Sequence, residues 1–167
     1  MSKPTKTYRL GFDVAGLLLF LLVMFPNFIW FAVPAPNDVL RVESLTPMLD
    51  TIASVCQVLI VACLCFVINN RRNKLRFSPL VFATAVCLIV YYITWVLYYF
   101  GAVDTLIILM LTILPCLAIV LFAADRKNIP AIVSALLFAV CHLVFAIVNF
   151  IDNNLLSQFW FIKNWLS

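Results

Sequence analysis

Residues 12–33 read FDVAGLLLFLLVMFPNFIWFAV, a run of 22 with one charge, Asp13, at its first turn and one internal proline, Pro26. Crossing ~30 Å of hydrocarbon takes ~20 mainly apolar residues, so this run is long enough to span a bilayer. Four further runs follow the same rule, at Met48–Asn69, Ser78–Phe100, Asp104–Ala124 and Ile129–Phe150. Two thirds of the 167 residues are hydrophobic (66%) and only 11% are charged, so a water-soluble core is the wrong frame for them. The expected fold is an all-α integral membrane protein, one domain over residues 1–167 with five transmembrane helices.

The loops give this bundle a direction. Lys3, Lys6 and Arg9 precede the first run, Arg71, Arg72, Lys74 and Arg76 follow the second, and Arg126 and Lys127 follow the fourth. With five spans these nine of eleven basic residues share one side, leaving Arg41 and Lys163 on the other. Basic loops stay in the cytoplasm, so the expectation is a multi-pass plasma-membrane protein with its N-terminus cytoplasmic and its C-terminus outside. The formal net charge of +4 then reflects topology and attraction to anionic lipid heads, and it calls for no nucleic-acid partner. The first run is too long for a cleaved signal peptide. In the tail, Leu155, Phe159, Ile162 and Leu166 recur on one helical face, which suits a short helix lying on the outer surface over 155–167.

Within the spans the informative residues are the polar ones. Pro26 removes a backbone donor and implies a kink near Met24, with Asn27 placed to serve a freed carbonyl. The loop after the first span, with Pro34, Pro36 and Asn37, reads as extended and polar. Thr46 and Pro47 mark the start of the second helix. Asp50 then suits the positive end of the helix dipole, yet Asp50, Ser54 and Gln57 fall at i, i+4 and i+7 on one face. Tyr91 lies deep in the third span, whereas Tyr98 and Tyr99 suit an interfacial belt. His142 and Asn149, seven apart, share a face of the fifth. These seven, Asn27, Asp50, Ser54, Gln57, Tyr91, His142 and Asn149, all belong to the outer halves of their helices. The inner halves read as almost wholly apolar.

Six cysteines, Cys56, Cys63, Cys65, Cys87, Cys116 and Cys141, fall inside the spans and form no secreted disulfide framework. Cys63 and Cys65 lie ~200° apart around a helix and so do not share one metal. A shift of 54 residues places Asp50-Thr51 on Asp104-Thr105 and Ala85-Val86-Cys87 on Ala139-Val140-Cys141. That suggests parallel repeats over 50–98 and 104–152. No phosphate loop, serine elbow or zinc motif occurs. The leading expectation is an outward-facing polar cavity that binds a ligand, a lipid or a partner helix, without cofactor or metal. A small-solute or proton-coupled transporter, best built as a homo-oligomer, and an intramembrane enzyme using His142 are the alternatives.

The segments Phe25-Pro26-Asn27-Phe28-Ile29-Trp30, Pro34-Ala35-Pro36-Asn37-Asp38, Glu43-Ser44 and Leu49-Asp50 resemble uncharacterised small five-helix membrane proteins of bacteria. The resemblance implies a bacterial multi-pass protein and brings no activity, cofactor or site residue with it. The span count is similar to that of the tryptophan-rich sensory proteins, but their Pro- and Trp-rich signature is not recognisable here.

Overall fold

The computed structural model describes residues 7–41, 43–70 and 77–151, with the side chain of Ile151 left aside. The basic loop 71–76 and the proposed surface helix 155–167 lie outside the described residues. Among the described residues five helices are long and apolar enough to cross a membrane: α1 Val14–Ala32, α2 Pro47–Phe66, α3 Pro79–Tyr99, α4 Thr105–Asp125 and α5 Ile129–Ala146, which runs on into a π-helical turn, Ile147–Ile151. Large apolar side chains such as Leu18, Phe82, Ile89, Val133 and Val140 cover their outward faces, which suits contact with lipid tails rather than water.

Short polar residues fix where the helices begin. Asp13 accepts from the amides of Ala15 (3.0 Å) and Gly16 (3.3 Å), Ser78 from Val81 (3.2 Å), Asp104 from Ile107 (3.0 Å) and Asn128 from Ala131 (3.2 Å). Thr46 precedes α2 as expected, but its side chain makes no capping bond. The turns after α3 and α4 share one geometry. The amides of Gly101 and Ala102 return to the carbonyls of Tyr98 and Leu97, and those of Lys127 and Asn128 to Ala124 and Ala123. Both are Schellman closures needing a left-handed residue just past the helix. Gly101 supplies it at φ +92°, and Lys127 supplies it at φ +52°.

The helices pack around a ring in the order α1, α2, α5, α4, α3, and α3 closes back on α1. α4, nearly featureless in sequence, is the most enclosed of them, with 56% of its apolar stretch buried against 22–28% for the others. The half of the ring nearest the N-terminus, here the basic end, is filled by a plug that includes Leu19, Ile60, Leu64, Phe122, Ala123 and Ala131. Gly16 lets α1 meet α2 there, because a Cβ at that position would overlap the backbone of Leu64.

Three expectations are corrected at this end. The second helix stops at Phe66 rather than Asn69, because Val67–Asn69 form a strand, β2, antiparallel to a strand β1 at Tyr8–Leu10. The β-branched pair Val67-Ile68 suits a strand, and the carbonyls released at the helix end find partners elsewhere in the chain. Gly11 donates to Phe66 O (3.0 Å), Asp13 to Cys65 O (2.7 Å), and Asn128 Nδ2 to Cys63 O (2.8 Å) and Val67 O (2.9 Å). Secondly, Arg126 is not a solvated loop cation. It is 6% exposed and ion-paired with Asp13. Thirdly, the helix ends on the basic side, expected to be almost wholly apolar, carry matched polar groups, since Ser78 donates to Asp125 (2.6 Å) and Asn69 to Lys127 O (3.0 Å). A polar group in hydrocarbon costs several kcal/mol unless it is matched. Here the matching is done mainly by neighbouring helix ends.

Candidate functional site

Above the plug, toward the side opposite the basic end, the ring encloses a cavity of about 560 Å³. It lies among α1, α2, α4 and α5, with Tyr91 reaching in from α3. Six of the seven polar residues singled out in the sequence line it: Asn27, Asp50, Ser54, Gln57, Tyr91 and His142. Helical spacing does the placing on α2, where Asp50, Ala53, Ser54, Gln57 and Ile60 form one wall. Ile60 also belongs to the plug, so this wall descends from carboxylate to apolar floor within three turns.

The α1 wall is built around Pro26. A proline leaves the carbonyl four residues earlier without its helical donor, and Leu22 O takes the Tyr92 hydroxyl instead, at 2.8 Å. Asn27 does not serve that carbonyl. Its Nδ2 donates to Val23 O (3.1 Å) and to the Tyr91 hydroxyl (2.9 Å), while Tyr91 donates to Val23 O (3.2 Å). Two tyrosines of α3 thus brace the proline region of α1. Tyr91 is 2% exposed, so its hydroxyl acts here as a brace.

The remaining cavity groups are less engaged. Ser54 Oγ turns back to Asp50 O (2.8 Å), and among the described residues Gln57 Nε2 meets only the Met24 sulfur, at 3.4 Å. His142 stacks between Phe138 (5.0 Å between centroids) and Phe145 (6.3 Å). Among the described residues, neither the His142 ring nitrogens nor the Asp50 carboxylate makes a hydrogen bond or ion pair. The wall is completed by Phe20, Phe31, Pro115 and Cys116, which sequence reasoning did not single out. An aromatic or a proline in an apolar span carries no periodic signal that separates a cavity wall from a lipid face.

Asn149 does not join the cavity, although it lies on the His142 side of the helix by spacing. It accepts from the Leu45 amide (2.7 Å) and donates to Thr46 Oγ1 (3.1 Å) and Phe145 O (2.9 Å). Its work is to hold the segment leading into α2. The six cysteines are free thiols spread over four helices, and among the described residues no group of three or more His, Cys, Asp or Glu is placed to hold a metal ion.

The loop after α1 is more organised than an extended polar connection. Asp38 accepts from Trp30 Nε1 (2.9 and 3.0 Å), the Tyr98 hydroxyl (2.8 Å) and Arg41 Nε (2.8 Å), and the Arg41 guanidinium lies over the Trp30 ring at 4.9 Å. Tyr98 is therefore no interfacial anchor, being 0% exposed, whereas Tyr99 is half-exposed and donates to Val33 O (2.7 Å). Burial works against ionising Asp38, but the donors from Trp30, Tyr98 and Arg41 together outweigh it and hold the carboxyl below its ordinary value of 3.8. This knot ties the ends of α1 and α3 that lie opposite the basic end, beside the cavity. The signal for it was the clustering of Trp30, Asp38 and Arg41 within twelve residues.

Set against protein-family models, curated proteins and solved structures, the chain matches none of them.

Proposed function

We propose that this is a multi-pass plasma-membrane protein that binds a small ligand or lipid in a cavity opening toward the outside. The observation that carries the reading is the contrast in hydrogen bonding around one cavity. Asp50, Gln57 and His142 converge from two helices with most of their hydrogen-bonding capacity unused among the described residues. Polar groups in a low-dielectric site are normally paired, and an unpaired set lining a roomy, mostly apolar pocket is the usual form of a small-molecule site. The outward direction rests on the nine basic residues gathered on the N-terminal side.

Binding fits better than chemistry, because His142 is stacked between aromatic rings and, among the described residues, no hydrogen bond joins it to an ionisable side chain. It also fits better than passage of a solute, because a solute would have to part the Leu19–Ile60–Phe122 plug. The test is equilibrium binding of the neutral fluorophore 1-aminoanthracene to the full chain in lipid nanodiscs, with empty nanodiscs subtracted. Saturable binding that disappears in Ala53→Trp, which fills the cavity from α2, is expected. Binding that is absent, or unchanged by the tryptophan, removes the proposal. Orientation is checked by an impermeant maleimide on intact cells, with Glu43→Cys labelled and Lys74→Cys protected.

A further inference from the structure

Resting on the reading of the cavity as a binding site, we propose that its preferred ligand is a lipophilic organic monocation whose charged centre sits at Asp50. Among the described residues the cavity wall contains one carboxylate and no lysine or arginine. That carboxylate is not spent on capping α2. Thr46 occupies the N-cap position, and among the described residues no amide of the first turn donates to Asp50. Nor is it spent on Arg41, the described basic residue of that side, which is held by Asp38 and stacked on Trp30.

Charge decides among ligand classes. An anion would bring like charge to a carboxylate already partly withdrawn from water, and a neutral molecule would leave it uncompensated. A cation removes the imbalance and so gains over both. The walls suit the rest of such a molecule. Phe31, Phe138 and Phe145 offer aromatic faces, which attract cations and accommodate apolar bodies alike. Gln57 and His142 add further hydrogen-bonding groups deeper in. A hydrophobic cation also reaches a membrane-embedded cavity readily, since it partitions toward the bilayer.

Tetraphenylphosphonium and tetraphenylborate have nearly the same shape and opposite charge, so they isolate this term. Equilibrium binding of each is measured on the full chain in nanodiscs of zwitterionic lipid, against empty nanodiscs. The expected result is saturable binding of the phosphonium, weakened at least tenfold by Asp50→Asn in protein whose thermal unfolding is unchanged, with the borate bound at least tenfold more weakly than the phosphonium. Equal binding of the two ions overturns the proposal, as does phosphonium binding indifferent to Asp50→Asn. If neither ion binds while 1-aminoanthracene still does and is blocked by Ala53→Trp, the cation proposal fails and the cavity reading stands. If the neutral fluorophore also fails, both fall together.

Discussion

The polar cluster at the basic end and the three less engaged groups of the cavity use the same chemistry in opposite ways. At the basic end Asp13 and Arg126 pair with each other, Asn128 caps α5 and closes α2, and Asn69 and Tyr8 both donate to Lys127 O. In the other half Asp50, Gln57 and His142 surround open space. The same residue types are structural in one place and available for binding in the other, and the difference lies in whether a partner stands within about 3 Å. Polarity in a membrane span therefore points to a site only where the surrounding packing leaves it unanswered.

The contrast breaks most sharply at the ion pair. Arg126→Ala is expected to destabilise the fold by about 2–4 kcal/mol, because it removes the charge partner of the half-buried Asp13, while Asp13→Asn with Arg126→Met recovers most of that loss. Thermal unfolding of both variants in detergent checks it, and an Arg126→Ala loss below about 1 kcal/mol would show that the pair is not structural. Gly16→Val comes next, with a loss of about 1–3 kcal/mol or more, since the Leu64 backbone cannot yield as a side-chain tip would. A variant as stable as the wild type would mean that α1 and α2 do not meet there.

Smaller effects sharpen the boundary between the halves. Tyr92→Phe should cost about 1 kcal/mol by orphaning Leu22 O, and should cost less when Pro26→Ala restores the missing amide. A double-mutant cycle with no coupling would sink the bracing argument. In the cavity, His142→Leu is expected to change stability by less than about 1 kcal/mol, because apolar replacement of an unpaired polar group is nearly neutral. A large loss would mean that His142 is held by a partner.

The gentlest perturbation is acid at the loop knot. Because Asp38 ionises below its ordinary value of 3.8 when folded, its contribution is complete above that value and is lost as pH falls through the lower folded value. Trp30 fluorescence should report loosening only in that acidic window, and Asp38→Asn should flatten the response. A transition centred above pH 4 would assign the event to another group.

Much of the site was legible because helical spacing survives folding. Asp50, Ser54 and Gln57 share a wall in the structure for the reason that they share a face in the sequence, and the depths of Asn27, Tyr91 and His142 follow from 1.5 Å per residue. Asn149 shows where that logic ends. Spacing put it on the His142 side, yet the approach of Leu45 and Thr46, more than a hundred residues away in sequence, gave it other partners. Val67–Asn69 teaches the same lesson for the fold, since apolar residues there continue the helical run until the amides of Gly11 and Asp13 claim the end of α2.

By itself, then, the chain determined five apolar helices and the depth of each polar residue along them, because length, hydropathy and the rise per residue are local properties. Which helices are neighbours, that α4 is enclosed, that Asp13 meets Arg126 and that the Asp50 carboxylate makes no hydrogen bond among the described residues were decided only in the tertiary structure. Those are statements about distances between segments far apart in sequence, and no local pattern encodes whether a hydrogen-bonding group will find its partner.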